Sequence, residues 1–121
     1  MSKKTNYVKG GFNCAECLID AHNKHNNGNI PVSLGSGMGS GLTVASICGA
    51  VNAAAIVIGA VKGRTNPEDP NEARALVNQL MKSVKEKYGS EICLDLKKSG
   101  VDCADIVEFV YQELDRILKG N

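Results

Sequence analysis

Along most of this chain apolar residues recur every three or four positions, and no stretch shows the period of two expected of a half-buried strand. Leu18, Ile19 and Ala21 mark the first apolar side, behind the pair Gly10-Gly11. Asn13 is placed to cap a helix there, and Glu16 stands three residues later, as a capping box requires. That helix should fade at Asn26-Asn27-Gly28-Asn29. From Leu42 to Val61 the chain is almost continuously apolar, and Lys62-Gly63-Arg64 suits a helix C-terminus. The expected element is a buried central helix with Cys48 in its middle. Ala45, Gly49 and Ala53 fall at four-residue spacing on it, as do Ser46, Ala50 and Ala54, so a second backbone or a cofactor can come close.

At about 20 residues this segment is long enough for a bilayer. Its Ala and Gly content, its Thr43, Ser46 and Asn52, and its lack of an aromatic belt favour the buried helix over a membrane span. Pro67 and Pro70 mark a linker, and Asp69, Pro70 and Glu72 have the order of a helix start. Ala73, Leu76, Val77, Leu80, Met81, Val84 and Tyr88 continue it, and Gly89 ends it. Ser90 is placed to cap a short helix through Lys98. Asp102 is placed to cap another to Leu118, with Ile106, Val110, Leu114 and Ile117 on one stripe. These elements predict an all-α fold, a compact bundle of about five helices around a central Gly/Ala-rich apolar helix, with residues 1–121 forming one domain.

Composition narrows the function more than the fold. A formal net charge of +1 and 4% aromatic residues argue against a nucleic-acid partner. No apolar segment follows Met1 closely, so a cytosolic protein is expected, in which thiols are reduced, catalytic or metal-bound. Gly/Ala surfaces leave room for a homodimer.

Five cysteines, Cys14, Cys17, Cys48, Cys93 and Cys103, are the candidate chemistry, and an odd count does not suit a pure disulfide framework. Cys14 follows Asn13, Cys93 lies three after Ser90, and Cys103 follows Asp102, so each is expected in a first helical turn. There the helix dipole and unpaired N–H groups favour a thiolate, the form that ligates metals and attacks disulfides. Cys14 and Cys17 have the C-x-x-C spacing without the strand–helix setting of a thioredoxin-like motif. No second C-x-x-C completes a zinc ribbon, and no haem-attachment motif is present. The loop Gly35-Ser36-Gly37-Met38-Gly39-Ser40-Gly41 has no preceding strand and no Gly-Lys-Ser/Thr ending, so it does not read as a nucleotide loop. His22 and His25 read as solvent-facing near a helix end.

Together, Asn13-Cys14, the loop from Gly35 to Gly39, Cys48-Gly49-Ala50, Tyr88-Gly89-Ser90-Glu91-Ile92-Cys93 and Asp102-Cys103 resemble the C-GCAxxG-C-C family of small redox-active proteins. The likeness runs from about residue 8 to residue 118, with Ala53 where the family segment ends in Gly. It implies that Cys14, Cys48, Cys93 and Cys103 are the family's four cysteines and that Cys17 is additional. Similar sequence in split-Soret cytochromes c suggests electron-transfer company, although no haem is implied here.

The expected function is thus a redox or electron-transfer protein with an unidentified redox partner. In it Cys14, Cys48, Cys93 and Cys103 bind an iron–sulfur cluster, with Gly37, Gly39 and Gly49 beside the cofactor. Two alternatives stay open. One is a structural zinc site on the same cysteines. The other is a metal-free dithiol pair, Cys14 with Cys17 or Cys93 with Cys103.

Overall fold

The computed structural model describes residues 4–120. Among these described residues five α-helices follow in order: α1 (Cys14–Asn26), α2 (Gly49–Lys62), α3 (Glu72–Tyr88), α4 (Cys93–Lys98) and α5 (Cys103–Leu118). Among the described residues no strand forms; one antiparallel bridge joins Ile47 to Ile92. The fold is the all-α bundle expected, and α2 lies at its centre, packed against α1, α3 and α5.

The apolar spacing accounts for the packing. On α5, Ile106, Val107, Val110, Tyr111, Leu114 and Ile117 are buried, three or four residues apart. They meet Leu18 and Ile19 of α1, Val57 and Ile58 of α2, and Leu80 and Val84 of α3 in one buried cluster. Each such side chain withdrawn from water stabilises the fold by roughly 1.5–3 kcal/mol before entropy is counted. α3 is the outer helix, with only Leu80 and Val84 fully inside.

Three helix starts differ from expectation. α4 is capped by Ile92 without a side-chain bond, and not by Ser90, whose Oγ accepts from Ile92 N–H at 3.0 Å instead. α3 begins at Glu72, two residues after Pro70, and Asn71 is its cap without a side-chain bond. The largest difference is α2, which begins at Gly49 and not at Leu42, so Cys48 is its N-cap residue and not a mid-helix one. Gly41–Ala45 forms one wide, irregular turn instead. Ser40, Leu42, Thr43 and Ala45 hold φ between 53° and 70°. That left-handed conformation costs an L-residue about 1–2 kcal/mol. Nothing in the apolar pattern announces it, because Leu, Val and Ala are ordinary helix-interior residues.

Hydrogen bonds fix the turn against the next helix. Ser46 N–H donates to Gly41 C=O at 2.8 Å, Cys93 N–H to Ser46 C=O at 2.7 Å, and Cys48 N–H to Glu91 C=O at 2.9 Å. Breaking the apolar run at Ser46 therefore ties the starts of α2 and α4 side by side. Among the described residues no helix is long and apolar enough to cross a membrane.

Candidate functional site

Four cysteines stand at four helix starts. Cys14, Cys93 and Cys103 are the first residues of α1, α4 and α5, and Cys48 caps α2. The four line a single cavity of about 120 Å³, with Gly39 and Gly49 also in its wall. Gly37 is not among the lining residues, and a Cβ added there would meet nothing within 4 Å. Among the described residues no Asp or Glu lines the cavity, whereas Lys97 does.

Local sequence explains the placement of Cys14. Glu16 N–H donates to Asn13 Oδ1 at 2.8 Å, and Asn13 N–H donates to Glu16 Oε1 at 2.9 Å, the expected capping box. The same two residues fasten the glycine-rich loop. Asn13 Nδ2 donates to the carbonyls of Gly35 and Ser36 at 3.2 and 3.3 Å, and Ser36 Oγ donates to Glu16 Oε2 at 2.7 Å.

Two glycines matter for the space they leave. A Cβ on Gly49 would stand 2.7 Å from Cys14 Sγ and 2.6 Å from the Met38 carbonyl oxygen. Gly41, at φ +63°, would bring a Cβ within 2.6 Å of the Cys93 Cβ. Real Cβ atoms do not approach so closely, so both positions keep the thiols near a neighbouring backbone.

Cys14 and Cys48 are hydrogen-bonded to each other, and their acidities diverge. The bond from Cys48 is the main reason the Cys14 thiol falls to about 6; the N–H groups of Ala50, Ala15 and Cys14 itself add to it against burial. Cys48 moves the other way, pushed up by that same bond, by burial and by the Cys14 charge. One sulfur is thus a thiolate near neutrality and the other its thiol donor. The start of α2 serves both, because Ala50 N–H reaches each sulfur and Val51 N–H reaches Cys48.

Cys17, one turn after Cys14, does not line the cavity. It is buried in the apolar cluster, and burial pushes its thiol up. His22 corrects the expectation of a solvent-facing pair: it is buried, its proton affinity lowered by burial, with Asn26 Nδ2 3.5 Å from its Nδ1. His25 is exposed, with Nε2 2.9 Å from the Lys4 carbonyl.

Two polar wall residues, Tyr7 and Lys97, were not anticipated from the sequence. Tyr7 precedes every periodic segment, and Lys97 lies within a charged helix end. Neither carries a local signal; only the tertiary fold brings them to the cysteines.

As placed, no three His, Cys, Asp or Glu side chains among the described residues lie close enough to share one metal ion. The donor set itself is four soft thiols at four helix starts, around small residues and beside a cation. Four soft thiols are a donor set that either an iron–sulfur cluster or a zinc ion uses.

No match was found among curated proteins, and none among solved structures. A family model described as "Putative redox-active protein (C_GCAxxG_C_C)" matches residues 12–117, nearly the whole chain and all four wall cysteines. With its cysteine order carried on four helix starts, the chain belongs to that redox-active family.

Proposed function

We propose that this protein is an electron carrier whose four wall cysteines, Cys14, Cys48, Cys93 and Cys103, hold an iron–sulfur cluster. The observation that carries the reading is that four thiols, distant in sequence, line one small cavity from four separate helix starts. A dithiol couple would account for two of them; a four-thiolate cluster accounts for all. Such a cluster, when bound, would supply a one-electron couple at the four thiolates that hold it.

The chain's own residues supply charge and shape. Helix starts turn N–H groups toward the cysteines, and Lys97 is the basic residue among those that line the cavity. The absence of a carboxylate among the described lining residues avoids repulsion of the negative sulfurs. Gly39 and Gly49 leave volume that larger side chains would fill. The test is anaerobic purification followed by analysis of iron, zinc and acid-labile sulfide. Iron with sulfide and visible absorption supports the cluster; folded protein that takes up neither iron nor sulfide on reconstitution refutes it.

One observation favours a second reading, a dithiol couple. The Cys14–Cys48 hydrogen bond pairs a low-pKa thiolate with a neighbouring thiol, a pairing that neither C-x-x-C spacing nor chain order suggests. In this reading the Cys14 thiolate attacks a substrate disulfide, forming a mixed disulfide and releasing one substrate thiolate. Cys48 then gives up its proton and attacks Cys14 Sγ. The second substrate thiol departs, the substrate having gained two electrons and the protein a Cys14–Cys48 disulfide. Mass spectrometry after mild oxidation distinguishes the readings, because this one requires that disulfide in metal-free protein.

A further inference from the structure

Residues 4–8 have no helical periodicity, yet they are among the most deliberately fastened in the molecule. Three donors converge on one oxygen of α5: Lys4 N–H at 3.0 Å, Thr5 N–H at 3.0 Å and Thr5 Oγ1 at 2.8 Å all meet Glu108 Oε1. Gln112 Nε2 holds the other carboxylate oxygen at 2.6 Å. Thr5 is buried although polar. On the α1 side, the Lys4 carbonyl meets His25 Nε2 at 2.9 Å, and Asn6 N–H donates to the sulfur of Cys17. The strap is thus pinned to α1 and α5, two of the four helices whose starts line the cavity. Its next residue is Tyr7, half-buried in the cavity wall, with its side chain hydrogen-bonded to Cys103. Cys103 is the only one of the five cysteines that is not buried.

We infer that Tyr7, held in place by the Glu108 and Cys17 anchors, is a positioning residue for the cysteine site: its ring covers the cavity at Cys103 and its hydroxyl donates to that sulfur. This gives Cys17 a role outside the cavity, as acceptor for the strap's Asn6 N–H. The inference rests on the redox reading for its purpose, but its test needs no bound cluster. A hydroxyl on a redox-active sulfur stabilises the more negative state, and a ring over it limits access by solvent and small reagents.

The experiment is site-resolved alkylation of reduced, metal-free protein at one fixed pH, with melting curves to confirm that each variant is folded. Tyr7→Ala removes the cover and is expected to speed alkylation of Cys103 several-fold. Glu108→Ala releases the strap with Tyr7 intact and should give a smaller rise. Tyr7→Phe keeps the ring and should stay close to the native rate. The hydroxyl is read separately, by the ultraviolet resonance Raman doublet of tyrosine, with Tyr7→Phe subtracted to isolate Tyr7. Cys103→Ala should change that doublet because the acceptor is gone, whereas Cys48→Ala should not. Native alkylation rates in both Tyr7→Ala and Glu108→Ala overturn the cover, and an unchanged doublet in Cys103→Ala overturns the hydrogen bond. Failure to bind iron, with these effects present, removes the cluster reading and leaves the inference standing.

Discussion

The two ends of the bundle are built on opposite terms. Around Leu18, Val57, Ile58, Leu80, Val84 and Leu114 the helices are regular and their side chains wholly buried. Around Cys14, Cys48, Cys93 and Cys103 the chain is all starts and turns, with left-handed residues, glycines against backbone and an open cavity. The first end contributes stability. The second spends part of it on holding thiols in a place where packing alone would have put aliphatic side chains. A small protein can carry a cavity lined by thiols only because its other half is closely packed.

Substitutions should separate the two ends. Leu114→Ala in the packed half is expected to cost about 2–5 kcal/mol in denaturant unfolding. It should leave the alkylation profile of Cys14 unchanged in the fraction that stays folded; a shifted profile would mean that the ends are not independent. Gly49→Ala strikes the cavity end, since its new Cβ has no room beside Cys14 Sγ and the Met38 carbonyl. Its cost should be about 1–3 kcal/mol. Unlike Leu114→Ala, it should also disturb Cys14, measured as a loss of fast alkylation at neutral pH.

Cys48→Ala is the milder probe. It removes the donor chiefly responsible for the Cys14 thiol lying at about 6. A depressed thiol pKa keeps the thiolate at neutral pH and loses it as pH falls through about 6. In the variant the midpoint of Cys14 alkylation should move upward, and the rate at pH 7 should fall by roughly tenfold, corresponding to one pKa unit or more above neutrality. A midpoint still near 6 would assign the effect to the helix start alone. Smallest of all is Cys17→Ala, expected to cost about 1 kcal/mol in lost packing and strap anchoring. It should leave that midpoint where it is, although Cys17 lies only one turn from Cys14.

The packed end was readable in the sequence. Leu80 and Val84, or Ile106, Val110, Leu114 and Ile117, repeat at helical spacing, and burial follows from that repeat. Asn13 and Glu16 likewise announced the start of α1, and with it the setting of Cys14. The cavity end was readable only where a cap or a cysteine marked it. The sequence pattern puts Cys48 in mid-helix because Leu42–Val61 is almost continuously apolar, and hydropathy does not register a backbone that turns left-handed at Leu42, Thr43 and Ala45. The Cys14–Cys48 pairing was hidden for the same reason, as it depends on where α2 begins. Tyr7 was silent because its position is set by a carboxylate about a hundred residues away, on α5.

The most direct test of the central claim is anaerobic reconstitution with iron and sulfide, comparing native protein with single Cys→Ala variants at all five cysteines. The account predicts iron and sulfide bound by the native chain and by Cys17→Ala, and sharply reduced in the variants at Cys14, Cys48, Cys93 and Cys103. Equal uptake by all five variants, or none by the folded native protein, would contradict it.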